Sequence, residues 1–349
     1  MNTKNKKRMA LIHELFPDGI PRLWCPALTH YGDDGAIDFT RMSAHLQSLV
    51  PWVKGFFIPG TTGDGWELND EETLSLTEFA LQTVKTQNIG LLLGSLRTEL
   101  DDMKQMIFRM LMLVQKSSAL QGREIDILKE AHVAGFAVCP PKGESRTQPE
   151  IESALSKIMD LDLPTGLYQL PFITENEVEP ETFERLAHKY ANLIFFKDSS
   201  GADRIGMSAV DKGDVFLVRG GEGDYAKWLK EGGGCYDGFL LSTANCFAPE
   251  LSAIIGYLEI NDEEKARDIS ERLTKTLFGA FALVKTLPCG NPFTNANKAF
   301  DHFYAFGPSA QAKEGPMLKG GSRIPADILS GIGNLLKKYK LMPEKGYLE

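Results

Sequence analysis

Eight short apolar runs recur along this chain of 349 residues, and each is followed by a polar turn and an amphipathic stretch. The runs lie near residues 22–27, 55–59, 90–93, 135–139, 165–170, 193–197, 215–219 and 238–241. Short runs of this kind are typical of buried parallel strands, and the stretches between them of helices. Eight consecutive βα units close most naturally into a barrel, so the sequence predicts an α/β fold of the (β/α)8 TIM barrel type. A doubly wound open sheet is the alternative.

The predicted barrel spans residues 19–246. Residues 1–18 contain a basic cluster and are expected to form a frayed, solvated tail. Helical patterns continue after the eighth run, so residues 247–349 are expected to be C-terminal helices packed on the barrel. These patterns cover residues 248–258, 262–287, 294–306 and 324–338.

Composition excludes several classes of protein. A net charge of −9 and a pI near 5.3 argue against a nucleic-acid partner. Since no run reaches the roughly 20 apolar residues that a membrane helix needs, no membrane partner is expected. The five cysteines are scattered without a C-x-x-C pair, which favours a reduced, cytoplasmic compartment. The six histidines are also scattered along the chain, so we expect no metal site.

The run at 193–197 ends in Lys197, at the carboxyl end of a predicted buried strand, where α/β folds place their chemistry. Burial against aromatic neighbours would lower the pKa of this ammonium and leave some neutral amine to attack a carbonyl. The pattern therefore predicts a Schiff-base nucleophile. Taken alone, a lysine that extends to solvent or pairs with Asp198 explains the same position.

Two other strand ends carry polar groups. The second strand runs into Gly60-Thr61-Thr62-Gly63, where backbone N–H groups and two hydroxyls could face a small carboxylate, although an ordinary turn would look the same. The fifth strand ends at Tyr168, whose phenol could move protons one βα unit before the lysine. A strand-end tyrosine can equally be a half-buried packing residue.

These motifs, in this order, resemble those of the dihydrodipicolinate synthase and N-acetylneuraminate lyase family of class I aldolases. Residues 60–64 read GTTGD where the family has GTTGE, and residues 168–171 read YQLP where it has YNxP. Residues 197–201 read KDSSG, which matches the family's K-(D/E)-x-(S/T)-G. Residues 238–245 are similar to its eighth-strand pattern, and the resemblance covers nearly the whole chain.

The resemblance implies that Lys197 condenses with the ketone of pyruvate, or of a 2-oxo acid that yields pyruvate. Tyr168 would shuttle protons at the Schiff base, with Thr61 as a third catalytic residue. The protonated imine acts as the electron sink for breaking or forming a C–C bond, so no other cofactor is implied. The partners implied are a small 2-oxo acid and an aldehyde.

For substrate binding, the resemblance implies that Gly60, Thr61 and Thr62 hold the 2-oxo acid carboxylate and that the Leu240 carbonyl borders the pyruvate pocket. Lysine-pathway members grip the distal carboxylate of their aldehyde with an arginine soon after YNxP, whereas this chain has Ile173 there. An apolar residue in place of a guanidinium weakens binding of an acidic aldehyde, so Ile173 is expected to contact a less polar or larger substrate.

Two cations are further candidates for substrate binding: Lys142, in the loop after the fourth strand, and Arg97, after the third. The chain also has an insertion between Gly94 and Gly135, relative to the family, that could cap the mouth or change subunit contacts. A homo-oligomer, dimer or tetramer, is implied by the resemblance.

The sequence thus predicts a class I lyase or aldolase acting next to pyruvate, on a substrate such as a 2-keto-3-deoxy sugar acid. Three alternatives remain open at this point. They are 4-hydroxy-tetrahydrodipicolinate (dihydrodipicolinate) synthase, a Schiff-base dehydratase of a sugar acid, and a non-catalytic 2-oxo acid sensor.

Overall fold

Eight parallel strands form a closed barrel in sequence order, with β1 paired to both β2 and β8. The computed structural model describes residues 3–349. The strands are β1 Leu23–Cys25, β2 Gly55–Ile58, β3 Gly90–Gly94, β4 Val133–Val138, β5 Thr165–Gln169, β6 Leu193–Asp198, β7 Phe216–Arg219 and β8 Gly238–Leu240. The predicted (β/α)8 barrel is confirmed, and the open sheet is excluded.

Helices cover the barrel and extend beyond it. The first eight are α1 Thr3–Leu15, α2 Phe39–Leu49, α3 Asp70–Gln87, α4 Leu100–Ser117, α5 Glu124–Glu130, α6 Gln148–Met159, α7 Pro171–Thr174 and α8 Pro180–Lys189. The remaining six are α9 Arg204–Met207, α10 Tyr225–Trp228, α11 Ala244–Glu259, α12 Glu263–Val284, α13 Pro292–Phe306 and α14 Ala326–Lys338. The insertion between β3 and β4 holds α4 and the short α5, and α11 to α14 are the expected C-terminal helices.

Large apolar side chains fill the barrel interior. Trp24 is fully buried among them, edge-on to Phe195 at 5.2 Å between ring centroids. The indole also explains Gly55 on the neighbouring strand, since a Cβ there would lie 2.3 Å from the Trp24 ring. This dense packing leaves the carboxyl ends of the strands as the place where polar groups can gather.

The expectation of a frayed tail is wrong for residues 3–15, which form α1; residues 1 and 2 lie outside the described residues. Ile12 of this helix packs into the cluster that fills the barrel. Arg8 is fully buried and donates to the Leu193 carbonyl at 2.7 Å and the Tyr190 carbonyl at 2.8 Å. Burial lowers its pKa to about 10. A guanidinium that binds several buried carbonyls thus anchors α1 to the barrel.

Candidate active site

A cavity of about 340 Å³ opens at the carboxyl ends of the strands, where β2, β5, β6, β7 and β8 converge. It is lined by Thr61, Thr62, Tyr168, Leu170, Lys197, Ser199, Ser200, Gly201, Gly220, Gly221, Glu222, Leu240, Ser242, Phe278, Phe281 and Phe293. Five of the residues singled out in the sequence therefore share one cavity: Lys197, Tyr168, Thr61, Thr62 and Leu240. The lining residues come from five strand ends and from two C-terminal helices.

Lys197 is the central charged group of this cavity. It is paired in register with Tyr168 of β5 and is only 6% exposed. Its Nζ lies 4.1 Å from the centroid of the Tyr168 ring and 5.0 Å from that of Phe57. Burial lowers the pKa of Lys197 from 10.5 to about 7, against smaller opposing effects of Cys139 and Glu222. Roughly half of this amine is therefore neutral and nucleophilic near pH 7.

A chain of hydrogen bonds leads from the tyrosine away from the lysine. The Tyr168 hydroxyl lies 3.0 Å from Thr61 Oγ1, and Trp66 Nε1 donates to the same Thr61 oxygen at 2.9 Å. Because an indole N–H is only a donor, one lone pair of the Thr61 hydroxyl is committed to Trp66. Burial raises the pKa of the Tyr168 phenol, so this hydroxyl is protonated when it faces a bound ligand.

The turn that carries Thr61 is held by the C-terminal helices. Thr61 and Thr62 begin a 3-10 turn, Thr61–Gly63, and the Thr61 carbonyl accepts from Thr294 Oγ1 at 3.2 Å. The next residue, Asp64, is fully buried and paired with the Lys298 ammonium at 2.8 Å. Two contacts from α13 thus fix the turn at the cavity. Gly60 lies just before the turn but does not line the cavity.

The other three residues predicted to bind substrate lie outside the cavity. Ile173, on α7, packs its side chain against the apolar cluster of the barrel interior. Lys142 forms an ion pair with Glu175 at 3.0 Å, and Arg97 one with Asp70 at 2.8 Å. These carboxylates already neutralise the two cations, so the structure does not place either cation in position to bind a ligand beside Lys197.

Two groups of lining residues were missed by the sequence reasoning. Glu222, in the glycine-rich loop after β7, contributes the only carboxylate that lines the cavity among residues 3–349. Three phenylalanines from α12 and α13 form its outer wall. The glycines on both sides of Glu222 could have indicated a functional loop in the sequence. The phenylalanines gave no such indication, because their helical spacing is equally typical of a buried core.

Two of the histidines that are scattered along the sequence are adjacent in space. Side-chain polar atoms of His30, His45 and Asp301 lie within 4.8 Å of one another. Their polar atoms already have partners. His30 Nε2 lies 3.1 Å from His45 Nδ1, His45 Nε2 lies 2.8 Å from the Asn245 carbonyl, and Arg41 forms an ion pair with Asp301. A cation here would face a guanidinium and would have to break this network, so the arrangement is that of a buried polar network.

Across residues 3–349, no helix is both long and apolar enough to span a membrane. The fold and the cavity together define a (β/α)8 barrel with a buried lysine in a cavity at the carboxyl ends of its strands.

Comparison with known proteins adds to this description: residues 127–288 match the dihydrodipicolinate synthetase family, which confirms the predicted resemblance. The match also confirms the predicted enzyme class, a carbon–carbon lyase.

Several similar proteins share the name 4-hydroxy-tetrahydrodipicolinate synthase. The 4-hydroxy-tetrahydrodipicolinate synthase of Agrobacterium fabrum is 25% identical over 263 residues, which cover 74% of this chain and 81% of the relative. That of Hyphomonas neptunium is 27% identical over 257 residues, 71% of this chain and 79% of the relative.

Solved structures of the family share the fold. YagE, a prophage protein of the dihydrodipicolinic acid synthase family from E. coli K12 solved in complex with pyruvate, aligns with a TM-score of 0.70 at 18% identity. The alignment covers 91% of this chain and 98% of YagE. The dihydrodipicolinate synthase of Thermotoga maritima aligns with a TM-score of 0.68 at 18% identity, over 91% of this chain and 98% of that one. At 18% sequence identity, the similarity to these two structures establishes a shared fold and nothing further.

Proposed function

We propose that this chain is a pyruvate-dependent class I lyase, in which Lys197 forms a Schiff base with the ketone of a 2-oxo acid. One observation carries the proposal: a buried lysine with a pKa of about 7 lies against a tyrosine that is hydrogen-bonded to Thr61. Neither an ion pair nor a hydrogen bond engages Lys197 Nζ within residues 3–349, so the amine is available for chemistry. The pyruvate bound in the YagE crystal structure supports the same ligand class.

The chemistry follows from these groups. The neutral Lys197 amine attacks C2 of pyruvate, and the former ketone oxygen leaves as water after taking one proton from the attacking nitrogen and one from the Tyr168 hydroxyl. The Tyr168 phenolate then takes a C3 proton from the protonated imine, which gives an enamine. The enamine carbon attacks an aldehyde carbonyl, whose oxygen takes up a proton, and hydrolysis of the imine then releases product. The reverse sequence cleaves a 4-hydroxy-2-oxo acid into pyruvate and an aldehyde.

The charges around the cavity favour this general reaction over dihydrodipicolinate synthesis, the reaction named for the curated relatives. Lys197 is the only cation that lines the cavity within residues 3–349, and Arg97 and Lys142 are paired elsewhere. An acidic aldehyde would therefore have no guanidinium or ammonium for its second carboxylate and would face Glu222 instead. We expect aspartate semialdehyde to be a poor acceptor.

Incubation with pyruvate and borohydride, followed by peptide mass spectrometry, tests the proposal. We expect a reduced pyruvyl adduct on the peptide that contains Lys197 and none in Lys197→Ala. Lys298 is an internal control, because it is equally buried but ion-paired with Asp64 and should stay unlabelled. An unlabelled Lys197 in a folded protein would contradict the proposal and favour the sensor hypothesis.

Product analysis separates the remaining alternatives. Aldehyde and pyruvate released from a 4-hydroxy-2-oxo acid would identify cleavage, whereas loss of water with an intact carbon chain would identify a dehydratase. Since the imine itself is the electron sink, the activity should persist in EDTA. The cytoplasmic location and the homo-oligomeric state, dimer or tetramer, are part of the proposal, and sedimentation tests the second.

A further inference from the structure

The outer wall of the cavity is aromatic. Phe278 and Phe281 of α12 lie edge-to-face with ring centroids 6.0 Å apart, and Phe281 meets Phe293 of α13 in the same way at 5.2 Å. All three rings line the cavity that contains Lys197. Edge-to-face packing leaves ring surface free for a further flat group to stack or pack against.

Packing in the hydrophobic core does not account for a phenylalanine at position 278, because this residue is 51% exposed. Its ring lies over the loop that follows β7, where a Cβ on Gly223 would be 2.9 Å from Phe278 Cε2. The neighbouring Asp224 N–H donates to Thr274 Oγ1 of the same helix at 2.9 Å. The helix is thus tied to the loop, and the phenylalanine is held at the mouth with one face toward solvent.

Among residues 3–349, Glu222 and Lys197 are the only charged side chains that line the cavity. Glu222 accepts from Ser242 Oγ at 2.5 Å, from Thr243 N at 3.1 Å and from the Tyr225 hydroxyl at 2.9 Å. These donors fix the carboxylate at the cavity, and Lys197 is the only lining cation among the described residues. A second anionic group on the acceptor would be repelled by Glu222 and would find no partner.

We propose that the aldehyde half of the substrate is uncharged and carries an aromatic ring that packs on Phe278, Phe281 and Phe293. This inference rests on the proposed function. The enamine carbon attacks the carbonyl carbon of the aryl aldehyde, the C=O electron pair moves to oxygen, and the proton lost from C3 is returned to that oxygen. Water then hydrolyses the imine and frees a 4-aryl-4-hydroxy-2-oxo acid. A cavity of about 340 Å³ lies at the small end of the range for ligand sites, which suits one ring joined to pyruvate.

The test supplies pyruvate with one of three aldehydes: benzaldehyde as the aromatic probe, butanal as an uncharged aliphatic one, and succinic semialdehyde as an acidic one. Carbon–carbon bond formation is followed by mass spectrometry, counting the hydroxy product together with its dehydrated form. We expect kcat/KM for benzaldehyde to exceed that for succinic semialdehyde at least tenfold.

The key variant is Phe278→Ala, since an exposed side chain can be removed without opening the core. We expect it to lower kcat/KM for benzaldehyde about tenfold and that for butanal less. Trapping of pyruvate alone is measured for each variant, which separates an effect on Lys197 from an effect on the acceptor. Phe108→Ala is the matched control, because Phe108 is 46% exposed on α4 and does not line the cavity.

Each result is decisive. If pyruvate is trapped on Lys197 but succinic semialdehyde is used as well as benzaldehyde, or if Phe278→Ala behaves like Phe108→Ala, the aromatic acceptor is refuted and the lyase proposal stands. If pyruvate alone is not trapped, the lyase proposal fails, and the acceptor inference fails with it.

Discussion

Gly220 is the glycine that most directly restricts the position of the Lys197 side chain. A Cβ at this residue would lie 2.8 Å from Lys197 Cε and 2.1 Å from Ser199 Oγ. The Gly220 backbone cannot move aside easily, since its N–H donates to the Asp198 carbonyl at 2.6 Å. In the variant Gly220→Ala both side chains must therefore move, and the lysine must shift by about 1 Å to reach an ordinary carbon–carbon contact.

A shift of that size at a reacting atom costs on the order of 100-fold in rate. We expect Gly220→Ala to trap pyruvate about 100-fold more slowly, measured by stopping the reaction with borohydride at set times. Adding Ser199→Gly removes the hydroxyl contact but not the lysine contact, so the double variant should recover little. Gly256→Ala is the control, because nothing lies within 4 Å of a Cβ there. Trapping by a folded Gly220→Ala variant within threefold of the wild type would refute this reasoning.

Three further predictions follow from named contacts. With a Lys197 pKa of about 7, the rate of imine formation should rise about tenfold per pH unit below pH 7 and level off above it; a rise that continued to pH 10 would contradict the role of burial. Lys298→Met leaves the Asp64 carboxylate buried without its counter-charge, so urea unfolding should show a loss of about 3–5 kcal/mol, most of it recovered on adding Asp64→Asn. Trp66→Phe removes one donor to Thr61 and should lower kcat about fivefold at an unchanged KM for pyruvate, whereas an equal change in KM would show that binding is affected instead.

The sequence carried enough information for the barrel and for the clustering of Lys197, Tyr168 and Thr61 at its mouth. Alternation of apolar runs with amphipathic stretches identifies parallel strands, and a closed barrel brings their carboxyl ends together. Tyr168 and Lys197 meet because they are register partners on neighbouring strands. Thr61 reaches the same point from β2, so its hydrogen bond to Tyr168 follows from the convergence of strand ends.

Other features of the structure depend on tertiary packing between distant segments, which local sequence patterns do not reveal. The phenylalanines of α12 have helical spacing and would look the same in a buried core; only the position of this helix over the mouth makes them a wall. Arg8 lies in a short basic segment that is typical of a solvated tail, and its buried partners lie about 180 positions away, at residues such as Leu193. Ile173 occupies the place where the resemblance located substrate contact, but its side chain is partly buried and packs against the apolar cluster of the barrel interior.

The C-terminal helices are as much a part of the site as the strands are. Lys298 and Thr294 of α13 hold the turn that presents Thr61, and Phe278 of α12 closes the outer wall. A barrel cut at residue 246 would lose the counter-charge of Asp64 and expose apolar surface at the mouth. On the proposed assignment, substitutions on α12 should change acceptor specificity without any change at Lys197, because α12 and α13 would hold the aldehyde half of the substrate and the strand ends the pyruvate half.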